Sequence, residues 1–270
     1  MKLSIFASQL YLDEIADDKG AALEYAKKRG ITSVEVFADE LSRELTLHDY
    51  NKMVKDHGLL ISTVIKVSHF PSCSEEEYQK EMADIKALVD EVEAEDIGMM
   101  MVVPNSCDVN NNSEKDQMRE KIIRGMREIV EYANDKRVII TAENYGDEKY
   151  PVCTIDDVHY ILEQVPGLRF CFDIGNFYCG NCDDLEAYET FRGNIVNVHM
   201  KDWEYAENGR YVLGDKRYTG SSIGSGFQHC GEIIQKLKAD GYDGNLVIEL
   251  NPLGSKKMID ESISFLKEII

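Results

Sequence analysis

The sequence predicts a (β/α)8 barrel, one α/β domain spanning residues 1–270. Three observations carry that prediction. Short β-branched runs alternate with charged segments of helical period along the whole chain. The strand runs are almost continuously apolar, as in parallel strands covered on both faces. The alternation fits eight times into 270 residues, the length of one such barrel. A doubly wound open sheet is the alternative, but the first strand–helix turn, SQLYLDE, has none of the GxGxxG glycines that such sheets use.

The elements follow in order. The first strand candidate, KLSIFA (2–7), sits in MKLSIFASQLYLDEIADD, where one lysine and a short apolar run give way to acids. That reads as a strand and not as a secretory leader. The second, SVEVF (33–37), follows the glycine that closes KKRG, and the third, LLISTVI (59–65), follows KDHG. The amphipathic run EEEYQKEMADIKALVDEVEAE leads to the fourth, GMMMVV (98–103), and SEKDQMREKIIRGMREIVEYAND leads to the fifth, RVIITAE (137–143). The sixth to eighth are RFCFD (169–173), IVNVH (195–199) and NLVIEL (245–250), the last preceded by KADG. No Pro/Gly/Ser linker or low-complexity block divides the chain.

Composition narrows the function. The chain is 43% apolar, and its 50 acidic against 30 basic residues give a net charge of -20. Such a surface repels a phosphate backbone and argues against nucleic-acid binding, though a few local basic groups can still hold a small anion. No apolar run approaches membrane-spanning length, so no membrane role is expected. Seven cysteines, an odd number without a secretion signal, suit reduced thiols in the cytoplasm.

In a barrel of this kind the active face lies at the C-terminal ends of the strands. The fifth strand ends TAENYG with Glu143, the sixth CFDIGN with Asp173, the seventh NVHMKD with His199 and the eighth VIELNP with Glu249. One such polar end is ordinary; four in succession point to a shared site. Three carboxylates and one imidazole form a hard, mostly oxygen donor set. It suits one divalent cation, Mn2+, Mg2+ or Co2+, with Zn2+ as the alternative. Without a cation, at least one of the crowded carboxylates needs a proton. Cys179 and Cys182 form a Cys-x-x-Cys just beyond Asp173, but a thiolate zinc site wants four ligands and no second pair exists. They read as loop thiols, and Cys171 reads as core.

These motifs carry a family likeness over the whole chain. TAENYG, FDIGN, VHMKD, the glycines of SSIGSG (Gly224, Gly226) and VIELNP resemble the xylose isomerase-like sugar isomerase/epimerase barrels. That group includes ketose 3-epimerases, hydroxypyruvate isomerases, inosose dehydratases and, more remotely, endonuclease IV-type DNA repair enzymes. The resemblance implies that Glu143, Asp173, His199 and Glu249 bind one divalent metal. It also implies that Glu143 and Glu249 are the acid/base pair of an enediolate mechanism on a metal-chelated carbonyl sugar. The implied activity is that of a metal-dependent isomerase or epimerase of a sugar or polyol, with a keto-polyol dehydratase as runner-up, and the implied assembly is a homo-oligomer. The chain departs from the epimerase pattern three residues after Asp173, where Asn176 replaces a histidine. It also lacks the Asp-x-His that the DNA repair enzymes carry before the eighth strand.

Further candidates surround this set. Lys201 alternates with His199 and is placed to neutralise the carboxylates or polarise a substrate oxygen. Asn176, Glu35, His69 in VSHFP, Asn105 in VVPNS and Asn144 are candidates for substrate hydroxyls. The segment WEYAENGRYVLGDKRYTGSS predicts a lid, with Arg210, Lys216, Arg217, Ser221 and Ser222 as anion-binding candidates and Trp203 and Tyr205 as a pocket wall or subunit contact.

Overall fold

The strands are β1 (Lys2–Phe6), β2 (Ser33–Phe37), β3 (Leu60–Ser68), β4 (Met99–Pro104), β5 (Ile139–Glu143), β6 (Arg169–Asp173), β7 (Ile195–Met200), β8 (Trp203–Tyr205), β9 (Tyr211–Leu213), β10 (Lys216–Gly220) and β11 (Asn245–Ile248). Eight of them, all but β8, β9 and β10, close into one parallel barrel in the order β1-β11-β7-β6-β5-β4-β3-β2. The structure is a computed structural model that describes residues 1–270 apart from 13, 17, 43, 106–108, 110, 147, 252 and 253. Every strand candidate read from the sequence is a barrel strand. β3 runs on past Ile65, because KVS keeps its ladder with β4 (Lys66↔Val102, Val67↔Val103, Ser68↔Pro104). Lys66 leaves the sheet to reach Asp39 at 3.0 Å, so one polar side chain does not end the strand.

The helices between the strands are α1 (Lys19–Lys28), α2 (Leu47–Asp56), α3 (Glu75–Ala94), α4 (Asn112–Ala133), α5 (Ile155–Gln164), the short α6 (Asn176–Cys179), α7 (Asp184–Phe191), α8 (Cys230–Ala239) and α9 (Lys256–Ile269). The starts of all but α6 and α8 are encoded by side chains that accept an otherwise orphaned backbone N–H: Asp18, Thr46, Ser74, Asn111, Thr154, Asp183 and Ser255. Ser74 and Thr154 complete reciprocal capping boxes with Glu77 and Asp157. α3 buries Tyr78, Met82, Ile85, Val89 and Val92, a stripe at helical spacing that faces the sheet. The main core lies between the strands and the helices. A smaller cluster of Phe6, Ile65, Met101, Val103, Cys171 and Val247 fills the lumen.

The segment after β7 is an ordered sheet. β8, β10 and β9 form a three-stranded antiparallel unit, with Gly220 paired to Trp203 at its base. Asp202 ties the following loop down. Its buried carboxylate accepts the backbone N–H groups of Trp203, Gly224 and Gly226 at 2.9 Å each and of Gln228 at 3.1 Å. A Cβ at Gly226 would strike that carboxylate, and Gly224 stands at φ +85°, which accounts for both glycines of SSIGSG. Asp202→Ala leaves four amide donors without their acceptor and is expected to cost about 3–5 kcal/mol. Urea unfolding measures it, and a cost below about 1 kcal/mol would show that the loop holds itself without Asp202.

Candidate metal centre

Strand register builds the centre. Asp173 on β6 lies directly beside His199 on β7, Glu143 on β5 beside Cys171 on β6, and Val247 on β11 beside His199. Glu249 follows β11 and continues its ladder, its N–H donating to Met200 O at 3.1 Å. Residues level in a parallel sheet point to the same side, so these side chains all enter the lumen at the C-terminal mouth. One donor atom from each of Glu143, Asp173, His199 and Glu249 lies within 4.8 Å of the others.

A carboxylate beneath the group fixes the imidazole. His199 Nε2 lies 3.0 Å from Glu35 Oε2, which directs the Nε2 proton there and turns Nδ1 toward the mouth. Nδ1 is 3.1 Å from Glu143 Oε2 and 3.1 Å from Glu249 Oε2. Glu35 is fully buried, and its other oxygen accepts from Thr63 Oγ1 at 2.8 Å and Asn197 Nδ2 at 2.7 Å. Phe6 packs edge-on against the imidazole at 4.9 Å. Lys201 Nζ lies 2.7 Å from Asp173 Oδ2 and 2.6 Å from Glu249 Oε1.

These residues fit a divalent cation. Glu249 Oε2 is buried and, despite its nearness to Nδ1, makes no hydrogen bond. With Nε2–H given to Glu35, Nδ1 faces two carboxylate oxygens; in the ion-free chain a proton on Nδ1 answers them, and a divalent cation would take that proton's place. The titration of the ion-free chain reflects the same crowding. Burial, reinforced by Glu249 and Glu143 and opposed by Lys201, lifts the Asp173 carboxyl to about 7. Burial also pushes Glu249 up, but Lys201 and His199 outweigh it and hold Glu249 at about 2. Burial alone would lower His199; Cys171, Glu35 and Glu143 outweigh it and raise the imidazole well above its ordinary value.

Above the group opens a cavity of about 520 Å³. Glu143, Glu249 and Lys201 line its floor, Trp203, Tyr211 and Tyr218 one wall, and Tyr145 and Tyr150 another. Of the four converging residues only the two glutamates are open to it, with side chains 13% and 15% exposed against 0% for Asp173 and His199. Trp203 is fixed by its Nε1 donating to Gly175 O at 2.8 Å.

The other candidates divide. Asn176 lines the cavity, but its side chain is committed: Nδ2 donates to Asn144 O at 2.9 Å, and Oδ1 accepts from Lys201 at 3.0 Å. Asn144 is fully buried and braces Asp173, exchanging hydrogen bonds with its backbone N–H and C=O at 3.1 and 3.0 Å. Glu35 is sealed behind His199, out of reach of a hydroxyl in the cavity. His69 is exposed beyond β3, and Asn105 sits at the end of β4; neither lines the cavity. Arg210 lines the cavity, whereas Arg217 and Lys216 border a different surface with exposed Tyr205. These placements correct the expectation of hydroxyl binding for Glu35, and of a place at the pocket for His69, Asn105 and Arg217. The reason is that loop paths and lumen depth decide them, not position near a strand end. Ser222 is tied to Glu261 at 2.7 Å. Among the described residues neither Cys179 nor Cys182 joins a group of three metal-binding side chains, although Cys179 lines the cavity.

Tyr150 and Asn251 reach the cavity from loops and had no signature of their own, whereas Tyr211 and Tyr218 lie on β9 and β10 within the segment read as a lid. The layer of Glu35, Thr63 and Asn197 did leave a trace: each interrupts an apolar strand, and Asn197 alternates with His199.

Comparisons with known proteins agree with the fold. A family model described as xylose isomerase-like TIM barrel matches residues 23–269. The L-ribulose-5-phosphate 3-epimerase UlaE of Shigella flexneri serotype 5b is 23% identical over 244 residues, covering 84% of this chain and 80% of that protein. D-psicose 3-epimerase from Clostridium cellulolyticum H10, solved with D-tagatose, superposes with a TM-score of 0.77 at 17% identity, covering 99% of this chain and 98% of the other. The IolI protein, solved with a bound zinc atom, gives a TM-score of 0.77 at 17% identity over 100% and 98% of the two chains. Among the described residues no helix is long and apolar enough to cross a membrane.

Proposed function

Because the chain belongs to the xylose isomerase-like TIM barrel family, we propose that it is a divalent-metal-dependent isomerase or epimerase of a carbonyl sugar or polyol, working in the cytoplasm. One observation supports this above all: of four converging ligands, the two glutamates alone reach the cavity, while Asp173 and His199 are closed off beneath them. Glu143, Asp173, His199 and Glu249 would hold the ion, Mn2+ or a similar oxygen-seeking cation. The ion, when bound, supplies a positive charge that stabilises negative charge on the substrate oxygens. The chain does the rest. Glu143 and Glu249 enter the cavity from β5 and from the end of β11. One carboxylate removes the proton next to the carbonyl, and the other, after taking a proton from solvent, returns it to the opposite face of the planar enediolate. The aromatic walls exclude water from the reacting carbons and leave room for a monosaccharide.

The test is elemental analysis of wild type beside Asp173→Ala, followed by a ketose and keto-polyol screen in heavy water. One ion per chain that disappears with Asp173, and deuterium in the recovered sugar, are expected. Conversion without exchange would sink the proton-transfer mechanism. A second reading, dehydration of a keto-polyol, is favoured by Lys201, which lines the same cavity beside Glu249 and has N–H groups to offer a leaving hydroxyl once an ion holds Asp173 and Glu249. A product lighter by one water identifies it.

A pH dependence follows from Asp173. Its folded value, about 7, lies above the ordinary 3.8, so the ion-free chain holds a proton that the unfolded chain has lost. Stability of the ion-free protein therefore falls as pH rises from about 3.8 to about 7. Holding an ion would require both that proton and the raised His199 proton to leave, so apparent Mn2+ affinity should climb by about tenfold or more per pH unit from 5 to 7 and keep rising above it. Calorimetry in two buffers measures the proton released; flat affinity across this range would contradict the assignment.

A further inference from the structure

Lys201 is the most tightly held cation of the centre. It is 2% exposed, and all three hydrogens of its ammonium are used: by Asp173 Oδ2 at 2.7 Å, Glu249 Oε1 at 2.6 Å and Asn176 Oδ1 at 3.0 Å. Two of these partners are the carboxylates that join Glu143 and His199 in the four-residue group. The third is locked in orientation. Asn176 Nδ2 donates to Asn144 O at 2.9 Å, so its oxygen can only face the ammonium, and its backbone N–H holds Asp173 Oδ1 at 2.8 Å. The lysine stem passes over Gly175, where a Cβ would come within 2.8 Å of Lys201 Cγ and of Trp203 Nε1. Backbone, glycine and amide are thus arranged around one buried cation.

Building on the metal-site reading above, we propose that Lys201, anchored by Asn176, is a resident counter-cation that competes with the divalent ion for Asp173 and Glu249, then turns its freed N–H groups to the substrate. Four carboxylates, Glu35 and Asp173 buried and Glu143 and Glu249 at the cavity floor, share Lys201 and His199 as their cationic partners in this centre. An ion that engages Asp173 and Glu249 loosens two of the three bonds of the ammonium. Asn176 keeps the third, so the released hydrogens stay at the floor of the cavity that Lys201 already lines. A saturated donor cannot bind a sugar oxygen; a donor with two hydrogens returned to it can. The ion therefore prepares the substrate site by displacement, and occupancy is ordered, ion before sugar.

The experiment titrates MnCl2 into the ion-stripped full-length protein without substrate, by calorimetry and by loss of the free Mn2+ resonance signal. Lys201→Met, which keeps the stem and removes the competitor, should bind Mn2+ about tenfold or more tightly than wild type. Lys201→Gln should shift in the same direction and serves if the first variant does not fold. Unchanged or weaker binding by a folded variant would overturn the competition, because a lysine that merely held the ligands in place would weaken the site when lost. At saturating Mn2+ the KM for any converted ketose should rise about tenfold in Lys201→Met, and an unchanged KM would overturn the substrate role. Should the wild type itself bind no Mn2+, the metal-site reading falls, and that result is distinct from either failure of the lysine proposal.

Discussion

Glu249→Gln and Glu143→Gln should each lower kcat by about three to four orders of magnitude at saturating Mn2+, the scale set by losing a positioned acid or base. Both residues are also candidate ligands, so the measurement must separate two losses. Affinity for the ion is titrated first, and turnover is then compared with the site filled. Activity restored by excess ion would assign the residue to binding alone. The carbon-bound proton gives a finer readout. If one glutamate serves each face, Glu143→Gln should still exchange the proton of one epimer with solvent while Glu249→Gln exchanges that of the other. Loss of both exchanges in a single variant would mean that one carboxylate works on both faces. The geometry underlying this prediction is that the two side chains flank His199 Nδ1 at 3.1 Å each and share the cavity floor.

The second large effect is expected from a residue that the substrate never meets. Glu35→Gln preserves shape and still accepts from Thr63 and Asn197 through its oxygen, but it turns an NH2 group toward His199 Nε2. To avoid donor facing donor, the imidazole must move its proton to Nδ1, the atom aimed at the ion. Mn2+ affinity should fall about 100-fold, with the circular dichroism of the native protein retained. Nitrogen chemical shifts of His199 report the tautomer directly. Wild-type affinity in Glu35→Gln would show that the histidine does not ligate through Nδ1. Glu35→Ala differs: it strands two buried donors as well, and about 3 kcal/mol of stability should go with it.

Much of the barrel was legible because two-sided burial leaves a simple trace. An apolar run such as RFCFD has few alternatives to a central parallel strand, and its C-terminal aspartate then falls at the mouth. The four-residue group was legible for the same reason, since register in a closed parallel sheet brings successive strand ends together. Convergence across the barrel left a fainter mark. Glu35 on β2 meets His199 on β7 only because the lumen is narrow enough for a glutamate to span, and no spacing along the chain encodes that distance. His69 and Asn105 failed for the converse reason: proximity to a strand end says nothing about which way the next loop turns. The extended 203–222 segment read as a lid because it is long and polar, yet Tyr211, Tyr218 and Trp203 pack their rings 5.2–5.6 Å apart and hold it as a sheet.

That small sheet enters and leaves the barrel at a single doorway, since Trp203 pairs with Gly220 and the next residue, Ser221, bonds back to Asp202 O at 3.0 Å. Residues between these two posts can lengthen, shorten or change without tugging on His199 or Lys201, because the ends stay pinned whatever lies between and a longer excursion adds little closure entropy. On the proposed function, the wall that would meet the far end of a sugar is a detachable cassette mounted on a fixed engine. Taste for one sugar over another could then drift there while the proton-moving parts stand still.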